Sequence, residues 1–202
     1  MSQEHLDHLF DLDGRVAVVV GADETGGREL SCGLGRLGAV VVVAGESMHH
    51  GHRTVELIRA FGGEAGFFGV DATSVDSLEL LIDYSLGEHG RVDVVVMVSK
   101  HLLDKSGLAE LQWQVRLVEQ MTRRQENEVS FVAICRHEVP WASFDAAFAE
   151  LVNSVGGDSR LWINAVVFAD TTAANIQGLV SSTIHLAAAN TSHVQGSVIW
   201  LG

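Results

Sequence analysis

The residues best suited to chemistry in this sequence follow its first apolar run. Val16–Val20 ends at Gly21, and Gly26–Gly27 comes shortly afterwards. Glycines between a strand and a helix can form a tight turn whose backbone N–H groups point at a phosphate. Asp23 and Glu24 bring two negative charges to the same turn, and these would repel a phosphate. The glycines are also what a tight turn needs for folding alone, and we favour this second interpretation.

A histidine cluster offers possible metal ligands. His49, His50 and His52 follow the second apolar run, where we predict a loop. A zinc site needs three or four ligands that neighbouring groups hold in place. Only Glu46 stands near these histidines as a further ligand, and no cysteine is close. We therefore predict a solvated loop and no metal site.

The two cysteines, Cys32 and Cys135, are too few for a disulfide framework or a zinc-ligand set. Cys135 lies two residues from His137, so the two side chains would share one face of a strand. A nucleophilic thiol with a histidine base also needs a third group that orients the base, and none is evident. We therefore expect no catalytic cysteine, and this cysteine usage is typical of a reducing cytoplasm.

The composition describes an ordinary globular protein with a strongly acidic surface. The chain has 202 residues, the length of a single domain, which we draw over residues 1–202. Its 13 basic and 26 acidic residues give a net charge of −13. Such a surface repels phosphate backbones and anionic lipids, so we expect no nucleic-acid or membrane partner. The N-terminal residues do not resemble a signal peptide, and we expect a cytoplasmic protein.

The elements that must position these residues alternate regularly along the first hundred residues. Runs rich in β-branched residues predict buried strands at Val16–Val20, Val40–Val43, Phe67–Val70 and Val92–Val98. Apolar stripes at helical spacing lie between them. Later we predict helices over 109–124, 143–155 and 179–188, and strands over 129–135, 161–168 and 197–201. Right-handed crossovers make this a Rossmann-like α/β fold, a doubly wound, mostly parallel sheet with helices on both faces.

Several short stretches of the chain occur in an order that is specific as a set. They are the opening run from Phe10 to Ala22, Gly62-Gly63-Glu-Ala, Val70-Asp71-Ala-Thr73, the run that begins at Gly90-Arg91, and Val194-Gln-Gly-Ser-Val-Ile199. In this order they resemble the short-chain dehydrogenase/reductase family. The resemblance is good over residues 10–98 and fair over 141–168 and 179–202. It implies the fold inferred above, with a dinucleotide site at the carboxyl ends of the strands.

The family pattern for dinucleotide binding, Thr-Gly-x-x-x-Gly-x-Gly, is incomplete in this chain. Gly21 and Gly27 match two of its glycines, but Thr25 stands at the middle glycine position. Glu46, just after the second strand, would repel NADP and leaves only NAD possible. Asp71 matches a family position beside the adenine, or it accepts hydrogen bonds near the next helix start. We predict that this chain binds no cofactor.

The family's catalytic groups are also missing from this chain. In the family, a tyrosine acts as the acid, and a lysine four residues later lowers the pKa of that tyrosine. The single tyrosine here, Tyr84, has Glu88 at that spacing. Alignment of the helix over 143–155 instead places Trp141 at the tyrosine position and Asp145 at the lysine position. Cys135 stands near the position of the family's catalytic serine. We therefore predict no catalytic activity.

The resemblance implies a role in a larger assembly. We predict a catalytically inactive subunit that supports an active NAD-dependent dehydrogenase subunit in a hetero-oligomer, a tetramer, with NAD in the active partner. Known pairs of this kind include a hydroxyacyl-CoA dehydrogenase that acts in benzylsuccinate breakdown. The family's substrate lid is truncated here to the few residues between Phe168 and Gln177. Two alternatives remain: a residual NAD-dependent oxidoreductase with non-standard catalytic residues, and a free-standing nucleotide-binding or protein-binding scaffold.

The expected subunit contacts lie on two helices and the last strand. The predicted helix over 109–124 carries more apolar surface than a solvated helix would, and leaving it exposed would create a sticky patch. We therefore predict an interface that contains Trp113, Val115, Val118, Met121, Trp141, Phe144, Phe148 and Trp200.

Overall fold

A computed structural model describes residues 11–102, 105–136, 141–155, 160–168, 172–188 and 195–201. Strands and helices alternate along these residues. The strands are β1 (Val16–Val20), β2 (Val40–Gly45), β3 (Ala65–Gly69), β4 (Val94–Leu102), β5 (Val129–Arg136), β6 (Leu161–Phe168) and β7 (Val198–Leu201). The helices are α1 (Thr25–Arg36), α2 (Met48–Ala60), α3 (Val75–His89), α4 (Lys105–Thr122), α5 (Trp141–Ser154) and α6 (Ala173–Ala187).

The seven strands form one parallel sheet in the order β3-β2-β1-β4-β5-β6-β7. The chain moves outward from β1 to β3, returns to pair β4 with β1, and then moves outward in the other direction. The strand order therefore reverses between β1 and β4. This topology confirms the predicted Rossmann-like, doubly wound α/β fold.

Both faces of the sheet are buried, as the valine-rich strands predict. Along β1, Val16, Val18 and Val20 contribute to one hydrophobic cluster, and Ala17 and Val19 contribute to the other. The first cluster is completed by side chains of α3, α4 and α5, and the second by side chains of α1, α2 and α6. Each strand therefore lies between two helical layers, which explains its lack of polar alternation.

The helices agree with the predicted ones in number and order but differ at their ends. The helix predicted over 109–124 begins earlier, at Lys105, and the helix predicted over 179–188 begins at Ala173. In the second case Thr172 caps the helix, since its side chain accepts the N–H of Asn175. Among the described residues, no helix has the length and apolar character that a membrane crossing requires.

The apolar stripes assigned to a subunit interface are covered by the chain itself. Val115, Val118 and Met121 of α4 and Phe144 and Phe148 of α5 are buried in the first cluster. The expectation that these side chains form a sticky surface was wrong, because they are the layer that this face of the sheet requires.

Two tryptophans of the predicted interface are partly accessible. Trp113 and Trp200 are half-buried at the margin of the first cluster, and Trp200 meets Phe144 edge to face at 5.9 Å between ring centroids. Trp141 begins α5, and its side chain lies outside the described part of the structure. Trp113 and Trp200 are therefore the members of the predicted set that retain surface for a partner.

A buried carboxylate fastens the middle of the sheet at its amino edge. Asp93, which is 2% exposed, accepts the backbone N–H of Val16 at 2.9 Å and the Nε–H of Arg91 at 2.8 Å. Its own N–H donates to the carbonyl of Val16, and its carbonyl accepts the N–H of Ser130. Asp93 thus joins the starts of β1, β4 and β5.

We expect Asp93→Ala to destabilise the fold strongly. The substitution leaves the buried Val16 N–H without its acceptor, so the free energy of unfolding should fall by about 2–3 kcal/mol. Urea unfolding monitored by circular dichroism measures this change. Asp83→Ala is the matched control, because Asp83 pairs with Arg124 at an exposed site and should contribute less than ~0.5 kcal/mol. Equal losses in the two variants would contradict this role of Asp93.

Candidate functional site

The candidate site lies at the carboxyl ends of β1 and β4, where the strand order reverses. Ligands of open parallel sheets bind at this position. A small cleft with an internal volume of about 20 Å³ opens there. It is lined by Val20, Glu46, Ala72, Thr73, Met97, Val98, Ser99, Glu110 and Gln114. Two of these nine lining residues carry carboxylates, and none of the nine is a lysine or an arginine. The side chain of the neighbouring Lys100 lies outside the described part of the structure.

The glycine loop after β1 has two residues whose conformation or contacts require glycine. Gly21 has a φ of +80°, in the left-handed region that other residues rarely adopt. Gly27 lies in the first turn of α1, and a Cβ built on it would stand 2.1 Å from the carbonyl oxygen of Gly21. Helix α1 can therefore approach β1 this closely only with glycine at position 27. Both matches to the family pattern have a role in folding that involves no ligand.

Asp23 of the same loop does not face the loop. Its Oδ2 accepts the backbone N–H of Ser47 at 2.8 Å, just beyond the end of β2. Its Oδ1 is buried without a hydrogen-bond partner in the described structure. A Cβ built on Gly45 would lie 2.1 Å from this oxygen. The charge that Asp23 brings to the loop therefore lies at the end of β2, where the carboxylate packs on Gly45.

Asp71 performs the local role that the sequence allowed as an alternative. Its Oδ1 accepts the backbone N–H of Thr73 at 2.9 Å and the hydroxyl of Thr73 at 2.7 Å. Ser74 then caps α3 by accepting the N–H of Ser77. These bonds form the turn between β3 and α3, so the position of Asp71 is explained without an adenine.

The end of β5 places Cys135 where a nucleophile would have to ionise, but the surroundings oppose ionisation. Cys135 is 3% exposed, and its burial, followed by the negative charge of Glu110, raises its pKa to about 12. A thiol with this pKa is protonated at neutral pH and is a poor nucleophile. The neighbouring Arg136 is exposed, and His137 lies outside the described residues.

The family's tyrosine and lysine positions lie on α5, whereas the chain's own tyrosine lies on α3. Asp145 is exposed on α5, four residues after the start of the helix at Trp141. Tyr84 lies on α3, with its ring 4.9 Å from that of Phe68 between centroids. Its hydroxyl lies 3.7 Å from a Cβ built on Gly66 of β3, which is the outermost strand of the sheet. Strands β2 and β1 therefore lie between β3, which Tyr84 contacts, and β4 beside the cleft.

The histidine cluster lies in a helix, so the predicted loop was wrong. Helix α2 begins at Met48 because the Ser47 side chain accepts the N–H of His50 and caps the first turn. His49, His50 and His52 are exposed on this helix. Nowhere in the described ranges do three His, Cys, Asp or Glu side chains come together as a possible metal site.

Two residues of the cleft escaped the sequence analysis. Glu110 and Gln114 stand one turn apart on α4, and the Gln114 side-chain amide donates to the Glu110 carboxylate at 2.9 Å. Gln114 is 7% exposed. The available signal was a polar pair at the i and i+4 positions in the otherwise apolar, buried stripe of α4. The pair adds a second carboxylate to the cleft, opposite Glu46.

Comparison with protein families and curated proteins identifies relatives of this chain. The family model described as short chain dehydrogenase matches residues 15–123. The 7alpha-hydroxysteroid dehydrogenase of Escherichia coli (strain K12) is 33% identical over 85 residues, which cover 42% of this chain and 33% of that protein. Short chain dehydrogenase/reductase astE of Aspergillus oryzae is 34% identical over 112 residues, 54% of this chain and 43% of that protein. The matched region thus spans about a third to under a half of these relatives.

Solved structures share the fold over nearly the whole chain. A short-chain type dehydrogenase/reductase from Mycobacterium marinum has a TM-score of 0.81 at 20% identity and covers 100% of this chain and 97% of its own. A 7 alpha-hydroxysteroid dehydrogenase complexed with NADH and 7-oxo glycochenodeoxycholic acid has a TM-score of 0.77 at 18% identity, covering 100% and 96%. At these identities the likeness establishes the fold.

The family model covers more than half of the chain, from the start of β1 to the end of α4. The doubly wound sheet and the cleft at its reversal point agree with this match. The chain belongs to the short-chain dehydrogenase family.

Proposed function

We propose that this chain is a non-catalytic member of the short-chain dehydrogenase family that assembles with an active relative and supports its structure. The position of Tyr84 carries the proposal. It is the chain's single tyrosine, and it packs on Phe68 of the outermost strand rather than at the cleft. A phenol at that place has no access to a substrate bound where the strand order reverses.

The residues at the family's tyrosine and lysine positions do not form a replacement pair. The two lysines, Lys100 and Lys105, belong to β4 and to the start of α4. An indole N–H such as that of Trp141 does not exchange a proton with substrate at neutral pH. The aspartate one turn later, Asp145, would raise the pKa of a neighbouring phenol instead of lowering it. Proton transfer at the family's acid position therefore has no candidate group.

The charges around the cleft do not fit a nicotinamide dinucleotide. Glu46 and Glu110 both line it, and none of the other seven lining residues carries a positive charge. A carboxylate ~6 Å from a phosphate at an effective dielectric of ~20 costs on the order of 3 kcal/mol. Two such carboxylates oppose binding of a pyrophosphate, and we propose that the NAD of the assembly is held by the active partner.

The chain is short where the family forms its lid over the substrate. Strand β6 ends at Phe168 and α6 begins at Ala173, so four residues separate them. Four extended residues span at most about 14 Å, which is too little to cover a substrate and exclude water. This spacing supports the proposal of a truncated lid.

The edge of the sheet offers the surface for an active partner. Strand β7 is the last strand of the sheet, and each of its residues from Val198 to Leu201 is half-buried. An edge strand presents unpaired backbone groups to another chain. Trp113 and Trp200 add half-buried apolar surface to α4 and β7. The net charge of −13 favours a less acidic partner over a second copy. We propose a heterotetramer of two such chains with two active subunits.

A residual NAD-dependent oxidoreductase with other catalytic residues is the second candidate. Glu46 favours it, because an exposed acid just after β2 can accept a ribose hydroxyl of NAD. A structure of the same fold, the 7 alpha-hydroxysteroid dehydrogenase above, is complexed with NADH. The first two experiments below separate the two candidates.

We expect the isolated chain to bind neither NADH nor NADPH at physiological concentrations. The reason is the acidic lining of the cleft together with Thr25 in place of a glycine in the loop. Isothermal titration calorimetry measures the affinity directly. A dissociation constant below about 100 μM, equivalent to roughly −5.5 kcal/mol, would favour the oxidoreductase instead.

We expect no reductase activity from the chain at saturating NADH, and no rescue in the double variant Trp141→Tyr, Asp145→Lys. The variant restores the residue types of the acid and its lysine but leaves the cleft and the β6–α6 link unchanged. Absorbance of NADH at 340 nm with a panel of ketones and 3-oxoacyl thioesters follows the reaction. Activity in the double variant at wild-type thermal stability would mean that a working cofactor pocket is present.

We expect the chain to co-purify with an intact short-chain dehydrogenase encoded by a neighbouring gene when the two are co-expressed. Light scattering should give the mass of a tetramer with equal amounts of both chains, and a tag on either chain should retain the other. A Trp200→Ala variant should weaken the complex, whereas Leu80→Ala, an exposed apolar residue on α3, should leave it unchanged. A stable monomer that captures no such partner would refute the assembly.

A further inference from the structure

We propose that the Asp23 side chain fills the crevice at the end of β2 and thereby excludes the ribose of a nucleoside from this chain. The inference deepens the proposed function, on which it rests, since it names the group that keeps the crevice closed. Asp23 acts by filling space and through its hydrogen bonding, whereas the carboxylates of the cleft act through their charge.

The first support is that neither carboxylate oxygen of Asp23 is available to a ligand. Oδ2 accepts the N–H of Ser47 at 2.8 Å, and Oδ1 is buried without a partner among the described residues. A ribose hydroxyl would need an accessible acceptor, and Oδ1 has no exposed surface to offer. Buried carboxylate oxygens are nearly always hydrogen-bonded in proteins, so this exception calls for an explanation other than stability.

The second support is the match between Asp23 and Gly45. In dinucleotide-binding sheets of this kind, an acid near the end of the second strand binds the ribose hydroxyls. Here the last residue of β2 is Gly45, and Oδ1 of Asp23 would lie 2.1 Å from a Cβ at that position. A side chain at residue 45 and the observed position of Asp23 therefore exclude each other. Asp23 occupies the space into which an acid on β2 would begin to extend.

The third support is that the loop is held in place. The backbone N–H groups of Gly21 and Ala22 both donate to the carbonyl of Ala44, at 2.9 and 3.0 Å. The hydroxyl of Thr54, on α2, donates to the carbonyl of Ala22 at 3.2 Å. Together with the Asp23–Ser47 bond, these contacts fix the loop against β2 and α2. These contacts hold the Asp23 side chain against β2, whereas Glu24 is exposed.

Three variants distinguish the effect of the space that the Asp23 side chain fills from the effect of its charge. Asp23→Gly removes the side chain, Asp23→Asn keeps its shape without the charge, and Glu24→Gln removes a charge from the same loop at an exposed position. The probe is adenosine, which has a ribose but no phosphate, so the acidic cleft has little effect on its binding. Affinity is measured by saturation-transfer NMR and calorimetry, with thermal unfolding to check that each variant folds.

We expect Asp23→Gly to bind adenosine at least about tenfold more tightly than the wild type. Asp23→Asn and Glu24→Gln should bind it no better than the wild type. If Asp23→Gly is too unstable to assay, Asp23→Ser, which also shortens the side chain, should show the gain.

Two results would overturn the inference. These are no gain in a folded Asp23→Gly or Asp23→Ser variant relative to the wild type, and an equal gain in Asp23→Asn. Failure of the parent proposal is distinguishable, since it consists of NADH binding and turnover by the wild type, whatever the response of the Asp23 variants to adenosine.

Discussion

A parallel sheet of valine-rich strands has no face that it can leave to water, and this constraint explains most of the molecule. Helices must return onto both faces at close range, so the links after each strand are short and tight. Gly21 and Gly27 are examples, since α1 packs so near β1 that a Cβ on Gly27 would meet the carbonyl of Gly21. A glycine loop of this kind is evidence for the fold first, and for a nucleotide only when other groups at the site agree.

The carboxyl edge of the sheet is free of this packing constraint, and it is there that we propose the chain has lost its family's chemistry. Glu46 and Glu110 line the cleft, and Asp23 packs against Gly45. The tyrosine of the chain serves the hydrophobic layer beside β3. Together with the scaffold of the family, these features support the proposed role as a subunit that contributes shape and contacts to an oxidoreductase.

The sequence predicted the elements that periodicity controls and missed those that depend on contacts between distant residues. Runs such as Val16–Val20 are diagnostic because burial on both faces removes polar alternation. The apolar stripe containing Val118 was recognised, but a stripe does not reveal whether the sheet or a partner covers it. The capping of α2 by Ser47 competes with a loop that local composition favours equally well. The contact between Asp23 and Gly45 joins the loop after β1 to the last residue of β2, and no local pattern encodes it.

The most direct test is a titration of the isolated, isotope-labelled chain with NADH. Its backbone amide resonances report on each residue at the carboxyl edge of the sheet. We expect the amides of Gly21, Gly45 and Ser99 to keep their positions up to millimolar NADH, because the cleft is acidic and Asp23 fills the crevice beside β2. Saturable shifts confined to these amides, together with slower exchange of the Gly21 N–H, would contradict the interpretation and establish a working dinucleotide site in this chain.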